Sequence, residues 1–191
     1  MKVVAFNGSA REKGNTSCLI DVVLNELKNE GIETKKIHLG NKPAQGCIAC
    51  YECYKNKNKH CVLTNDQLNQ YLDEMLQADG IILGSPVYCA NMSTNMKALI
   101  ERATVVAKAN GNMFKRKLGA SVVSVRRGGA THVFSSINYF FLISQMIVPG
   151  SNYWNFGIGK DQGDVENDQE GVQTMIELGK NMAWLLKKIK G

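Results

Sequence analysis

Apolar residues are grouped in short, nearly continuous runs along parts of the chain. Such runs are typical of strands buried on both faces, as in a parallel sheet. The clearest runs lie at residues 2–7, 80–84 and 118–125, and weaker ones lie at 33–39 and near 148–157. The pattern therefore predicts five strands.

Between these runs, apolar residues recur three or four positions apart, which is the period of an amphipathic helix. The repeat at residues 15–30 is followed by Gly31, a common stop signal. Thr64 or Asn65 is predicted to cap a helix that reaches Ala78. The remaining helices are predicted over residues 96–107, over 131–147 and from about 169 onward.

Strands that alternate with helices indicate a parallel sheet covered on both faces. Five strands and five helices favour a doubly wound α/β fold of the flavodoxin-like type, with strand order 2-1-3-4-5. Residues 1–191 are expected to form one domain. In this architecture ligands bind at the carboxyl ends of the strands, at the point where the strand order reverses.

Three of the predicted strand ends carry loops of unusual sequence. They are GSAREKGNTS at 8–17 (the first loop), SPVYCANMS at 85–93 (the second loop) and RRGG at 126–129 (the third loop). Because the carboxyl ends of parallel strands lie at one edge of a sheet, we expect the three loops to converge on one ligand.

The first loop is suited to a single terminal phosphate. Backbone N–H groups and the positive end of the following helix favour an anion there. The loop lacks the lysine-bearing pattern of nucleoside triphosphatases and the glycine pattern of dinucleotide folds. The alternative is a capped turn that binds nothing. The candidate side chains are those of Ser9, Arg11, Asn15, Thr16 and Ser17.

The second loop is suited to form one wall of a site for a flat ligand. Pro86 stiffens the turn, while Val87 and Tyr88 can lie beside the ligand. Asn91 and Ser93 offer polar contacts. Taken alone, the same segment is an ordinary helix cap.

The third loop combines a permissive backbone with cationic side chains. An arginine near the pyrimidine end of a flavin would stabilise negative charge on the reduced ring. The alternative is a surface turn with solvated arginines. The residues concerned are Arg126, Arg127, Gly128 and Gly129.

Four cysteines lie close together in the pattern C-x2-C-x2-C-x7-C, at Cys47, Cys50, Cys53 and Cys61. Four thiolates are the usual ligands of an iron–sulfur cluster and also of a structural zinc ion. Zinc sites more often pair two separated C-x2-C knuckles, so the pattern favours a cluster. Structural zinc, with His60 as a substitute ligand, and free thiols stay open.

The two remaining cysteines, Cys18 and Cys89, are expected to pack as small hydrophobic residues. Tyr153 and Trp154 are candidates to cover a flavin, from the same or a neighbouring subunit, and are equally suited to an interface or a core.

Charge and hydropathy exclude several classes of partner. The net charge of +6 comes without an aromatic-interleaved basic stripe, so nucleic acid is not an expected partner. No apolar run approaches the ~18 residues of a membrane span. The first residues turn polar too soon for a secretory signal, so a cytoplasmic location is expected. Cysteines in that compartment are metal ligands or free thiols rather than disulfides.

The three loops and the CIACYEC…C segment together resemble the iron–sulfur flavoproteins, a branch of the NADPH-dependent FMN reductase group with the flavodoxin fold. The likeness extends through GSNYWN at 150–155 and covers nearly the whole chain. It implies FMN bound by the three loops and a [4Fe–4S] cluster held by the four cysteines. It also implies a homodimer or homotetramer with flavin sites near the interface.

The resulting hypothesis is a flavin oxidoreductase that couples two-electron flavin chemistry to a one-electron cluster. No catalytic acid or nucleophile is required, because the cofactors hold the chemistry. NAD(P)H is a candidate electron donor, and ferredoxin is a candidate protein partner. The alternatives are a cluster-free NAD(P)H-dependent FMN or quinone reductase, and a flavodoxin-like binding or regulatory module with a structural zinc.

Overall fold

Five parallel strands form one sheet in the computed structural model, which describes residues 1–40 and 44–191. The strand order is β2-β1-β3-β4-β5, so the predicted doubly wound topology is confirmed. The strands are β1 (Lys2–Asn7), β2 (Glu33–His38), β3 (Gly80–Pro86), β4 (Leu118–Val125) and β5 (Phe156–Ile158).

Helices cover both faces of this sheet, as the alternating pattern predicts. The described residues contain α1 (Asn15–Asn29), α2 (Glu52–Asn56), α3 (Leu68–Gln77), α4 (Thr94–Ala109), α5 (Ala130–Ile143), α6 (Gln169–Lys190) and a 3-10 turn at Asp164–Asn167.

The sheet separates two hydrophobic cores. On one side α1 and α6 pack against it through residues such as Leu19, Val23 and Met182, all fully buried. On the other side α3, α4 and α5 bury residues such as Leu72 and Phe141. Every residue of β3 and β4 is buried, which explains their continuous apolar sequence.

The central strands are longer than their neighbours at the carboxyl end. The pairing of β3 with β4 continues to Pro86 and Ser124, whereas the pairing of β1 with β3 ends at Asn7 and Gly84. The Val87 N–H then donates to the Ser124 carbonyl at 3.0 Å. The second loop therefore leaves the sheet beside the end of β4 rather than at residue 84.

Three predicted element bounds are wrong. The helix expected from Thr64 or Asn65 begins at Leu68, because the Asp66 carboxylate accepts the Leu68 N–H at 3.1 Å. The helix expected to reach 147 ends at Ile143, and the fifth strand is only Phe156–Ile158. In both cases apolar residues that look periodic belong to the loop between the two elements.

The cysteine pattern predicts a cysteine-rich loop over about residues 40–64, of which residues 41–43 lie outside the described residues. The described part contains the short helix α2, which the sequence did not predict. No helix among the described residues is long and apolar enough to cross a bilayer.

The packing of α5 against β4 gives a stability prediction. A Cβ built on Gly119 would lie 2.5 Å from Cδ1 of Phe141, a fully buried ring. We expect Gly119→Ala to lower the free energy of unfolding by about 1–3 kcal/mol, because the ring must move within a packed core. Urea unfolding measures the effect.

Gly150→Ala is the matched control, because a Cβ there meets no atom within 4 Å and the backbone φ is not positive. It should leave the midpoint nearly unchanged. Equal midpoints for both variants would contradict the close packing of α5 on β4.

Candidate flavin and cysteine sites

The carboxyl ends of the central strands surround a cavity of about 160 Å³, which we call the inner cavity. An adjoining cavity of about 410 Å³, the outer cavity, shares Val87, Val125 and Arg126 with it. The inner cavity is lined by Ser9, Arg11, Gly14, Asn15, Thr16, Pro86, Val87, Tyr88, Ser124, Val125, Arg126, Gly159 and Lys160. The outer cavity adds Cys89, Ala90, Arg127 and Gly128. Residues of all three predicted loops therefore meet at one edge of the sheet.

Four of the predicted residues line neither cavity. The Ser17 hydroxyl accepts from Lys36 Nζ at 2.7 Å, and the Ser93 hydroxyl caps α4 by accepting the Met96 N–H at 3.4 Å. Asn91 closes the second loop, and Gly129 precedes α5 with a φ of +92°. These residues therefore serve the surrounding loops and helices and are not part of the cavity lining.

A series of short hydrogen bonds orders the first loop. The Asn7 carboxamide oxygen accepts the Ser9 N–H at 3.0 Å, and the Ser9 hydroxyl accepts the Arg11 N–H at 3.1 Å. The Thr16 and Ser124 hydroxyls lie 2.7 Å apart and join α1 to β4. The loop is thus held in one conformation by its own backbone and side chains.

The amino end of α1 is open to an anion. Gly14 occupies the cap position, so no side chain accepts a hydrogen bond from the first N–H groups of the helix. Uncapped N–H groups and the helix dipole attract negative charge. Arg11 and Lys160 line the same cavity and add two cationic side chains. This donor set fits a phosphate group, and the arrangement therefore fits the phosphate end of FMN.

Sequence reasoning missed Ser124, Gly159 and Lys160. The last two follow β5, and the fifth strand was predicted to end near residue 157. Asn15 brings this segment to the site, since its Nδ2 donates to the Asp161 carbonyl at 2.9 Å and its Oδ1 accepts the Gly163 N–H at 2.8 Å. The signal that was available is the carboxyl end of the fifth strand, which lies at the same edge of the sheet.

The second loop contains a tight turn with two residues in the left-handed region. The Tyr88 N–H and the Asn91 carbonyl bond at 2.8 Å, and the reverse pair bonds at 2.9 Å. Cys89 and Ala90, between them, have φ values of 48° and 59°. Each such residue costs roughly 1–2 kcal/mol. Cys89 is exposed, so the prediction that it packs as a buried small residue is wrong.

All four cysteines of the C-x2-C-x2-C-x7-C pattern line one small cavity of about 20 Å³, which we call the cysteine cavity. Cys53 lies on α2 and is buried. Burial raises the pKa of the Cys53 thiol, and nearby Cys61, Cys47 and Cys50 add to the rise. A cationic metal centre would reverse this effect by stabilising the thiolates.

No three His, Cys, Asp or Glu side chains in residues 1–40 and 44–191 converge closely enough to hold one metal ion. The thiolates of a [4Fe–4S] cluster each bind a different iron, so they surround the cluster without meeting at one point. Four thiols around one cavity fit that arrangement. His60, the substitute ligand, instead contacts Asp73 Oδ1 through Nε2 at 2.8 Å.

Arg102 on α4 joins the two ends of the cysteine loop. Its side chain is fully buried. Nη1 donates to the Gln45 carbonyl at 3.3 Å and to the Asp66 carboxylate, while Nη2 donates to the Leu63 carbonyl at 2.8 Å. The segments on either side of the four cysteines are therefore held by one guanidinium group.

Two further residues fix the backbone at the cysteines themselves. The Cys47 N–H donates to Glu101 Oε2 at 3.3 Å. The Asn69 carboxamide accepts the Cys61 N–H at 2.8 Å and donates to the Cys61 carbonyl at 2.9 Å.

Tyr153 and Trp154 pack edge to face, with ring centroids 4.6 Å apart, and both are about half exposed. Neither lines the inner or the outer cavity. In this structure the two rings therefore do not cover the flavin cavities of their own subunit. A role at a neighbouring subunit stays a prediction.

Comparison with known proteins identifies the family of this chain. The family model described as NADPH-dependent FMN reductase matches residues 1–161. An iron–sulfur flavoprotein of Methanocaldococcus jannaschii is 40% identical over 197 residues, covering 100% of both chains. An iron–sulfur flavoprotein of Methanosarcina thermophila is 33% identical over 192 residues, covering 100% of this chain and 97% of the relative.

Solved structures share the fold at low identity. RosB with bound 8-demethyl-8-formylriboflavin-5'-phosphate superposes with a TM-score of 0.77 at 17% identity, over 100% of this chain and 80% of that one. A flavodoxin from the domain Archaea gives a TM-score of 0.64 at 16% identity, over 98% and 99% of the two chains. These likenesses show the flavodoxin-like fold alone.

The raised pKa of Cys53 gives a prediction for the metal-free protein. A raised pKa leaves less thiolate at a given pH, and the thiolate is the form that reacts with alkylating reagents. We expect iodoacetamide at neutral pH to modify Cys53 more slowly than the exposed Cys50 and Cys89. Peptide mass spectrometry measures the three rates.

The same reaction in concentrated urea is the control, because unfolding removes the burial that raises the pKa. All three rates should then become similar. Equal rates in the folded protein would show that the cysteine cavity is open to solvent.

Proposed function

We propose that this chain, which belongs to the iron–sulfur flavoprotein branch of the NADPH-dependent FMN reductase family, couples two-electron FMN chemistry to a one-electron [4Fe–4S] cluster. The family makes the protein a flavin-dependent oxidoreductase. The coupling to a cluster is the new part of the proposal. The observation that supports it is the single small cavity lined by all four cysteines.

When bound, FMN exchanges electron pairs and a cluster exchanges single electrons, so together they convert one kind of transfer into the other. The chain's own residues bind and orient the two groups. They also set the charge around them and bury the Cys53 thiol.

We assign the phosphate end of FMN to the inner cavity. Arg11, Lys160 and the uncapped amino end of α1 line that cavity together and form its positive end. The Ser9 hydroxyl already accepts the Arg11 N–H, which orders the loop before a ligand arrives. A preordered anion site loses less conformational entropy on binding.

We assign the flavin ring to the place where the inner and outer cavities meet, beside Arg126, which lines both. Pro86, Val87 and Tyr88 form a wall with little conformational freedom, because Val87 is bonded to the end of β4 and Tyr88 closes the tight turn. Arg126 and Arg127 supply positive charge there, which stabilises added negative charge on a reduced ring.

We assign the cluster to Cys47, Cys50, Cys53 and Cys61. Apolar side chains make up most of the remaining lining of the cavity that these cysteines share. Burial without a metal raises the pKa of Cys53, so a centre that binds the thiolates offsets an unfavourable environment.

Membership of the family implies redox partners in general terms, one that donates electrons and one that accepts them. We propose NAD(P)H as the electron donor and a small redox protein such as ferredoxin as a partner. We also propose a cytoplasmic protein of one domain that assembles as a homodimer or homotetramer, with the exposed Tyr153 and Trp154 near a neighbouring flavin site.

The first test concerns the phosphate site. Arg11→Ala and Lys160→Ala should each weaken FMN binding by about ten-fold, because a charge-assisted hydrogen bond contributes roughly 1.5–3 kcal/mol. Fluorescence titration of FMN into the flavin-free protein measures the dissociation constants.

Lys13→Ala is the matched control, since Lys13 lies in the same loop, is exposed and does not line the cavity. It removes the same charge and should change affinity little. A loss in Lys13→Ala equal to that in the two other variants would mean that net charge, and not the assigned contacts, governs binding.

The second test concerns the cluster. Replacing any one of the four cysteines with Ala should abolish or destabilise the cluster while FMN still binds. The loops that line the flavin cavities follow strands of the sheet, and the sheet does not depend on the cysteine loop. Anaerobic assays of iron, sulfide, zinc and FMN on each variant measure this. Cys18→Ala and Cys89→Ala are controls and should keep full iron content, since neither lines the cysteine cavity.

Each outcome of the second test identifies one function. Iron and sulfide lost in all four loop variants supports the coupled enzyme. Zinc in place of iron in the unaltered protein would support the structural-zinc alternative. FMN without metal would support a cluster-free NAD(P)H-dependent FMN or quinone reductase.

A further inference from the structure

We propose that the Nε–H group of Arg102 donates a hydrogen bond to a sulfur atom of the centre in the cysteine cavity and thereby raises its reduction potential. This inference rests on the proposed function, because it requires a cluster bound by the four cysteines. It concerns a residue that lies outside the cysteine pattern and that binds no metal itself.

The Arg102 Nε atom is buried and has no hydrogen-bond partner. It is the only buried side-chain nitrogen or oxygen without one among residues 1–40 and 44–191. Both terminal nitrogens of the guanidinium have acceptors, since Nη1 donates to Asp66 and Gln45 and Nη2 donates to Leu63. A buried donor of a charged group left without an acceptor is costly, so such an atom indicates an acceptor that belongs to a ligand.

Arg102 lines the same small cavity as the four cysteines. Apart from the cysteines, Arg102 and Tyr51, the side chains that line it are apolar, namely those of Ile48, Val62, Leu63, Val105 and Val106. Side-chain oxygen acceptors are therefore scarce at this place. Sulfur is the acceptor that the cavity holds, as cysteine thiolate or as the inorganic sulfide of a cluster.

The orientation of Nε is fixed by its neighbours. The contacts of Arg102 with Asp66 and with the backbone on both sides of the cysteine loop hold the planar guanidinium in place. The donor is thus positioned before the centre is bound. Because Asp66 offsets the charge of Arg102, the local effect on the centre comes mainly from the N–H dipole.

Hydrogen bonds to the sulfur atoms are one of the factors that set the potential of an iron–sulfur centre. Reduction adds negative charge, and an N–H donor stabilises the more negative form. Removal of the donor should therefore lower the reduction potential while the cluster stays bound.

Two variants separate the N–H group from the charge. Arg102→Lys places a methylene where Nε stands and keeps the positive charge. Arg102→Gln places an amide N–H at nearly the same position and removes the charge. Arg116→Lys is the matched control, because Arg116 is exposed and does not line the cysteine cavity.

The measurement is an anaerobic redox titration of the cluster signal by electron paramagnetic resonance, with iron content determined for each protein. We expect Arg102→Lys to keep its iron and to lower the potential by about 59 mV, which is a ten-fold change in the equilibrium constant of a one-electron couple. Arg102→Gln should lie closer to the unaltered protein, and Arg116→Lys should equal it. An unchanged reduction potential in Arg102→Lys would overturn the inference. So would a lower reduction potential in Arg102→Gln than in Arg102→Lys.

A second measurement uses the unaltered holoprotein, in case the variants lose the cluster. Arginine labelled with ¹⁵N should give a ¹⁵N hyperfine coupling in pulsed electron paramagnetic resonance at the field position of the reduced cluster. A cluster signal without that coupling would overturn the inference while the proposed function stands. Absence of iron and sulfide from the unaltered protein would instead overturn both.

Discussion

Parallel pairing of β1, β3 and β4 is the constraint on which the rest of the molecule depends. It places the carboxyl ends of the three strands at one edge, and the loops that follow them carry most of the side chains of the inner cavity. The two central strands are buried on both faces, so a shift in their register would expose apolar side chains to water. The geometry of the flavin site is thus fixed by the hydrophobic core beneath it.

The cysteine site depends on a different interaction. The loop that carries the four cysteines contains only one short helix in its described part, and it lies outside the sheet. Arg102, a fully buried residue of α4, holds this loop in place of regular secondary structure. It binds the Gln45 carbonyl before the cysteines and the Leu63 carbonyl and Asp66 carboxylate after them. Breaking such a buried ion pair is far more costly than breaking one at the surface.

Helix α4 connects the end of the second loop to the cysteine loop. Ser93, at the end of the second loop, caps its amino end, and Glu101 and Arg102 two turns later contact the cysteine loop. From Thr94 to Arg102 the helix rises about 12 Å. The helix therefore holds the end of the second loop and the cysteine loop at a fixed distance from each other. The end of β2, which leads into the cysteine loop, also contacts the first loop, because His38 Nε2 donates to the Ser9 carbonyl at 2.7 Å.

The sequence by itself determined the fold class, the strand order and the identity of the three loops and four cysteines. Burial of β3 and β4 on both faces and the helical period of α1 and α6 are local properties that the order of apolar residues encodes directly. The amino end of α1 and the cap at Ser93 are equally local. The boundaries of α5 and β5 were less well predicted, because apolar residues in the loop between them have the same period by chance, and the start of α3 was misplaced because Asp66 accepts the Leu68 N–H.

Only the tertiary structure decided which residues share a site. Lys160 and Ser124 line the inner cavity because β4 and β5 end at the same edge of the sheet as β1 and β3. No short sequence motif predicts this. Arg102 reads in the sequence as an ordinary helical residue, yet it is buried against the cysteine loop with an unpaired Nε. Contacts between residues far apart in the chain depend on how the helices pack over the sheet. A local pattern of apolar and polar residues specifies that packing only in part.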